Sequence, residues 1–354
     1  MDRKLRIAII GCGGISKVAH YPGYKLINNA EVVACCDILP DRAKEYAEER
    51  DIPIFCTDYK DILKMDNVDA VDLCVPNYLH SIIAVDALNA GKHVFCEKPD
   101  AVSVEEAEKM KAAAEKNGKV LMIMRNNRWR ADAKFMKDYI EAGKMGDIYA
   151  ARCGWIRRRG IPGRGGWFTT KAQSGGGPLI DLGVHMIDLT MYLMGNPTPV
   201  SVVGCAYNKF ANSEEISDSA HSGFGDSNKD GIFDVEDLAM GFLKFDNGAC
   251  LQIEFSWASN IEKENAFVEL RGSKSGATLD LNGFKIFTEE FGKTVDYIPN
   301  VKEIMPQHAA NIQHFVNVVL NGDDPDFVPQ QGINMIKILE AFYKSAETGK
   351  EVML

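Results

Sequence analysis

The sequence predicts an α/β chain in two parts: a doubly wound parallel sheet over residues 1–124, and an α+β part with a largely antiparallel sheet over residues 125–354. Three observations carry that expectation. Short apolar runs alternate with amphipathic stretches up to residue 124, the pattern of βα units with strands covered on both faces. The first run ends in Gly11-Cys12-Gly13-Gly14-Ile15-Ser16, a turn almost without side chains. From Arg125 onward the texture changes to strands joined by tight turns such as Asp246-Asn247-Gly248, a hairpin signal.

The opening run, Ile7-Ala8-Ile9-Ile10, reads as a buried strand that feeds a helix through the glycine turn. Bare backbone there lets a pyrophosphate sit at the positive end of the helix. Gly11 makes the tight turn and Gly13 admits the phosphates; Gly14 and Ile15 belong to the same loop. Ser16 stands where the third glycine of the dinucleotide pattern would be. A second strand over 31–36 ends at Asp37, about 20 residues beyond the turn, where a carboxylate accepts hydrogen bonds from an adenosine ribose. The same charge repels a 2′-phosphate and Ile38 offers no cation, which favours NAD over NADP. Arg42 is placed to stack on the adenine or reach a phosphate. The alternative for Asp37 is a cap at a strand end.

The units continue with a helix over 41–50 capped by Asp41, a strand over 52–55, a helix over 58–65 and a strand over 69–75. A helix over 81–90 stopped by Gly91, a strand over 93–96, a helix over 104–117 stopped by Gly118 and a strand over 120–124 complete the series. Ligands of such sheets bind beyond the carboxyl ends of the strands. That singles out Pro76-Asn77-Tyr78-Leu79-His80, Glu97-Lys98-Pro99 and Arg125-Asn126-Asn127-Arg128. The second part reads as a helix over 132–142, a strand over 147–155 and a glycine- and arginine-rich loop over 157–168. A helix carrying Asp181, His185 and Asp188 follows Gly175-Gly176-Gly177. Strands are expected over 200–207, 238–245, 249–256, 266–272, 277–280 and 283–288, closing helices over 308–320 and 332–348, and a polar surface loop over 208–231.

The bulk properties narrow the function. A chain of 354 residues, 46% hydrophobic and 25% charged, suits two domains with sizeable cores. A net charge of −10 argues against nucleic acid as a partner. No apolar run is long enough to span a bilayer, and Met1-Asp2-Arg3-Lys4 leads straight into the first strand with no room for a signal peptide. Nine cysteines without a C-x-x-C pattern fit reduced thiols in a cytoplasm, with neither a zinc site nor a disulfide frame. A small molecule is the expected partner.

Lys98 sits just past a buried strand, and Pro99 restricts its backbone to a non-helical conformation. An ammonium at that edge can hydrogen-bond a substrate hydroxyl or share a proton with it; the bland alternative is a solvated lysine. Asp181 and His185 are four residues apart on one predicted helix, so both project from one face. An acid beneath an imidazole fixes its tautomer and stabilises its charged form, which suits a base that removes a hydroxyl proton; such a pair is also a common structural hydrogen bond. Asp188, a turn further on, is a second support. The arginines 157–159 could grip an anion or form a salt-bridged loop, and the residues leave that open. Asp226-Ser227-Asn228-Lys229-Asp230-Gly231-Ile232-Phe233-Asp234-Val235-Glu236-Asp237 has calcium-loop spacing, but its twelfth position is Asp237, no amphipathic helix precedes it and a strand follows. A polar loop entering a strand is the simpler reading, and no metal is expected.

Glu97-Lys98-Pro99 at this distance from Gly11-Cys12-Gly13-Gly14-Ile15 resembles the Gfo/Idh/MocA family of oxidoreductases. Gly176-Gly177-Pro178-Leu179-Ile180-Asp181-Leu182-Gly183-Val184-His185-Met186-Ile187-Asp188 is similar to the motif of that family's second domain, and Val235-Glu236-Asp237-Leu238-Ala239 also matches it. The resemblance covers essentially the whole chain. It implies a Rossmann domain followed by a domain with a large open sheet, an NAD(P) cofactor, and sugars, inositols or related hydroxyl compounds as substrates. It implies a catalytic group of Lys98, Asp181 and His185, with Asn77, His80 and Glu97 lining the cofactor site. Arg128, Arg158 and Trp167 join Lys98, Asp181 and His185 as candidates for touching the substrate. The resemblance further implies a cis Lys98–Pro99 peptide and homodimers or homotetramers packed through the open sheet. The expected activity is oxidation of a secondary hydroxyl with hydride passing to NAD. Two alternatives are a hydrolase or lyase that oxidises its sugar transiently, and a non-catalytic nucleotide-binding regulator.

Overall fold

Strands β1 (Leu5–Ile10), β2 (Ala30–Cys36), β3 (Ile54–Cys56), β4 (Ala70–Leu73), β5 (His93–Cys96) and β6 (Leu121–Ile123) form one sheet in the order β3-β2-β1-β4-β5-β6. Every neighbouring pair is parallel. The order reverses at β1, so the crevice beyond the carboxyl ends of β1 and β4 is the switch point where doubly wound sheets bind ligands. Alternation of strand and helix forces this topology, because parallel neighbours need right-handed crossovers. The computed structural model describes residues 3–210, 225, 227–228, 230–281 and 283–354. Most of the expected 208–231 loop, with Asp226 and Lys229 of the calcium-like run, lies outside them.

The chain divides into two compact units, residues 1–126 with 305–336, and residues 127–304 with 337–354. In the first, the late helix Gln307–Asn321 packs on the early helix Tyr21–Leu26. A Cβ on Gly23 would come within 2.7 Å of the Ile312 side chain, so glycine sets that approach. The Phe315 ring stacks on Phe95 of β5 with centroids 5.0 Å apart. Leu5, Ile7, Ile9, Phe95, Met122 and Ile312 belong to one buried cluster.

The second unit holds strands β7 (Ile148–Ile156), β8 (Pro199–Tyr207), β9 (Leu238–Phe245), β10 (Cys250–Ser256), β11 (Asn265–Gly272), β12 (Gly276–Asp280), β13 (Gly283–Glu290), β14 (Lys293–Tyr297) and β15 (Val352–Met353). They form one sheet in the order β14-β13-β12-β11-β7-β10-β9-β8-β15. The β7–β10 pair is parallel, with Cys153 opposite Ile253, and the other described pairs are antiparallel. Helix Val184–Leu193 lies against β7 and β11. A Cβ on Gly204 or Gly241 would meet the Phe342 ring at 2.5 or 2.8 Å, so paired glycines on β8 and β9 admit that ring.

Several boundaries differ from the sequence reading. The helix expected to open at Asp41 begins at Pro40, because proline is pre-set for the first helical position, and Asp41 lies in its first turn instead of capping it. β14 was unexpected: its residues are exposed or half-exposed and lack the alternation that marks a half-buried strand. β15 has two residues, too short for any periodicity.

Candidate active site

The glycine turn is held from several sides in the first unit. Gly11 adopts φ +100°, and a Cβ there would lie 2.3 Å from the Cys74 carbonyl oxygen, so glycine is required sterically. The Asp37 carboxylate accepts from the Cys12 N–H at 3.0 Å and from the Leu39 N–H at 3.0 Å. The Arg42 guanidinium lies 3.8 Å from it. Ser16 Oγ donates to the Gly13 carbonyl at 2.9 Å, so the serine in the third glycine position ties the turn to the first turn of helix. That turn, Ser16–His20, is a π-turn leading into Tyr21–Leu26, not the uninterrupted α-helix the pattern suggests. Among the described residues beyond its chain neighbours, none comes within 4 Å of where a Cβ on Gly13 would stand, and Gly14 is exposed. This open, side-chain-free cradle at a helix start fits a dinucleotide pyrophosphate. Ile38, 82% exposed, adds no charge beside Asp37, in keeping with NAD.

The Glu97-Lys98-Pro99 loop leaves β5 at the same sheet edge, with a cis peptide between Lys98 and Pro99. Glu97 is buried; its Oε2 accepts from the Lys98 main-chain N–H at 3.0 Å and its Oε1 lies 2.8 Å from His20 Nε2. Lys98 itself is half-buried. His80 was expected to line the cofactor site, but it is fully buried and both ring nitrogens face backbone carbonyls, Pro99 O at 2.7 Å and Val75 O at 2.9 Å. Two acceptors favour the imidazolium, yet burial is the larger effect and lowers its pKa. Its place is under the loop, bracing Pro99. Asn77 is buried at the start of the same helical segment.

In the second unit Asp181 lies in a π-turn, Leu179–Gly183, and His185 in the α-helix that continues it. The i,i+4 argument assumed α geometry throughout, whereas the wider turn advances fewer degrees per residue; such turns are frequent at functional sites. Both side chains are half-buried. Trp257, fully buried just past β10, donates from Nε1 to Asp181 Oδ2 at 2.9 Å. The Trp155 ring lies 6.2 Å from the His185 ring, tilted by 54°. The helix start is held by Glu236, whose buried carboxylate accepts from the N–H of Gly177 at 2.9 Å and of Leu179 at 3.2 Å, and from the Tyr343 hydroxyl at 2.9 Å.

Other candidates take different places. Arg128 is 1% exposed and forks Asp188 at 2.8 and 2.6 Å, so Asp188, expected as a second support a turn beyond His185, is bound by this guanidinium. Arg158 is exposed, and its N–H donates to Glu264. Arg157 lies over the Trp155 ring and Arg159 over Phe210. Trp167 stacks on its neighbour Phe168 at 3.8 Å. In the calcium-like run Gly231 meets Gly165 closely: a Cβ on Gly231 would lie 1.8 Å from Gly165 O. The Asp234, Glu236 and Asp237 carboxylates accept from backbone N–H groups of Lys171, Gly177 and Lys209. Those carboxylates serve loop packing.

Trp257, Glu236 and His20 were missed as site residues. Glu236 carried a signal, since it lies in the Val235-Glu236-Asp237 run already noted. A tryptophan after an apolar strand and a histidine in a helix carry none.

A family model described as "Oxidoreductase family, NAD-binding Rossmann fold" (GFO_IDH_MocA) matches residues 5–124. Its companion, "Oxidoreductase family, C-terminal alpha/beta domain", matches residues 137–354. D-glucoside 3-dehydrogenase of Escherichia coli is 34% identical over 351 residues, covering 99% of this chain and 97% of that protein. Myo-inositol 2-dehydrogenase of Thermotoga maritima is 25% identical over 354 residues, covering 99% and 98%. Among solved structures, aldose-aldose oxidoreductase from Caulobacter crescentus complexed with glycerol superposes with a TM-score of 0.82 at 26% identity, covering 99% of this chain and 100% of that one. GenD2 from gentamicin A biosynthesis in complex with NAD gives 0.80 at 25% identity, covering 100% and 97%.

Proposed function

The chain belongs to the Gfo/Idh/MocA oxidoreductase family, and from that premise we propose that it is an NAD-dependent dehydrogenase oxidising a secondary hydroxyl of a sugar, glycoside or inositol. The observation that supports this most is the half-buried Lys98 on a cis-proline loop, beside an open glycine cradle at the same sheet edge. Relatives that act on a glucoside and on myo-inositol span nearly the whole chain. Gly11, Gly13, Gly14 and Ile15 would hold the pyrophosphate and Asp37 the adenosine ribose. When bound, NAD supplies the hydride acceptor. Lys98 hydrogen-bonds the substrate oxygen through its ammonium, and His185 takes the hydroxyl proton. Asp181, oriented by Trp257, supports the imidazole; Arg128 orders its helix through Asp188 and is assigned no substrate contact. In this reading the dinucleotide belongs to the compact unit of residues 1–126 with 305–336, and copies associate through the open sheet, where Met240, Phe242 and Val203 are exposed.

The test is a screen of glycosides, free sugars and inositols for NADH appearance. Turnover is expected with at least one of them. NAD binding without product from any would overturn the reading. Lys98→Met and His185→Ala are each expected to lower kcat about a hundredfold or more while NAD still binds. Near-normal turnover in either variant would remove that residue from the scheme.

A further inference from the structure

Beneath the Lys98 loop lies a buried charge relay. His20 is wholly buried, with Nδ1 2.8 Å from Asp72 Oδ2 and Nε2 2.8 Å from Glu97 Oε1. An ionised carboxylate only accepts hydrogen bonds, so a ring between two of them must donate from both nitrogens. A neutral imidazole would set a lone pair against a carboxylate oxygen in a site without water access, at a cost comparable to an unmade buried hydrogen bond. The other Glu97 oxygen accepts the Lys98 main-chain N–H at 3.0 Å. The line therefore runs from Asp72 on β4 through His20 and Glu97 to the Lys98 backbone.

We infer that His20 is a positioning residue for Lys98: a doubly protonated, buried imidazole that fixes Glu97 as an anion and, through it, the main chain from which the ammonium projects. This rests on the role given to Lys98 above. The local charges agree with it. Asp72 holds the His20 pKa well above the ordinary value despite burial, and His20 holds the Glu97 carboxyl well below the usual carboxylate range. Tyr24 and Cys74 also face this group, and Lys98 and His308 act on Glu97. Burial lowers the His308 pKa, so it adds no second cation near neutral pH. Two carboxylates and one imidazolium leave one negative charge to face Lys98. Removing the imidazolium makes that field more negative at Lys98.

Two measurements test this. In wild-type protein labelled with 15N at its seven histidines, one imidazole should keep both ring protons from about pH 6 to about pH 9, and its signals should vanish in His20→Gln. If every imidazole loses a proton within that range, the inference is overturned, whether or not the variant folds. In the second, His20→Gln should lower kcat about tenfold to a hundredfold with KM for NAD within about threefold, and should move the alkaline limb of the kcat profile upward. Lower activity with an unmoved limb would make His20 a packing residue beside Phe95 and overturn the inference. Wild-type turnover matched by His20→Gln would also overturn it while leaving the dehydrogenase reading intact. A wild type that makes no NADH from any compound would fail that reading instead, and the labelled histidine would still report on the relay.

Discussion

At the scale of single residues, the two glycines of the turn are constrained by different things. Gly11 is constrained by the protein itself, through φ +100° and the Cys74 carbonyl. Gly13 has open space where a Cβ would stand, among the described residues beyond its chain neighbours. Gly11→Ala should destabilise the fold by roughly 2–3 kcal/mol, read as a lower Tm without ligand. Gly13→Ala should leave that Tm within about a degree or two and weaken NAD binding at least tenfold by calorimetry, since the added methyl occupies the side left open for phosphate. Equal effects on Tm would contradict the distinction. The sequence reading gave Gly11 the tight turn and Gly13 the phosphates, but spacing alone does not show that the neighbour of Gly11 is the Cys74 carbonyl. Asp72 is a similar case. It lies within the apolar run of β4, and only the fold brings His20, 52 positions away in the chain, to meet it.

At the scale of elements, the sequence made the parallel unit legible because buried strands and amphipathic helices differ in period. The antiparallel sheet was legible from its turns, with β9 matching its expected span over 238–245. What escaped was geometry that leaves no period: the π-turns Ser16–His20 and Leu179–Gly183, and the edge strand β14. The candidate site divides the same way. Lys98, Asp181 and His185 were readable as motifs, whereas Trp257 is tied to Asp181 only by tertiary contact. Trp257→Phe keeps most of the packing and removes the indole donor. It should lower kcat about tenfold with Tm nearly unchanged, as the carboxylate loses its orientation. At the head of the same turn, Glu236→Ala leaves the N–H groups of Gly177 and Leu179 and the Tyr343 hydroxyl without their acceptor. It should cost about 2–4 kcal/mol of stability in urea unfolding, whereas Glu236→Gln should cost less because its carbonyl still accepts. Burial raises the Glu236 pKa, so its carboxyl binds a proton more readily than an exposed one on acidification.

For the molecule as a whole, charge sets the pH window. Glu97 and Asp69 have pKa values lowered by His20 and by Arg6 respectively, although burial opposes both shifts. Their contribution to stability is fully present above the ordinary values of 4.5 and 3.8 and is lost as pH falls through the lower folded values. His20 has the opposite sign: its contribution is complete below 6.5 and is lost only as pH rises through a folded value well above that. Tm should therefore hold through neutral pH and fall steeply below about pH 4, less steeply in His20→Gln, where Glu97 has lost the partner that lowered its pKa. An unchanged acid slope in that variant would place the acid sensitivity elsewhere. The helix Gln307–Asn321 has a consequence for synthesis. It supplies Phe315 to the face of Phe95, Ile312 to the notch at Gly23 and the Asn311 side chain to the Arg125 N–H at 2.7 Å. A nascent chain thus has all six parallel strands outside the ribosome well before the helix that seals one of their faces is translated, and until then that apolar face awaits either the helix or a chaperone.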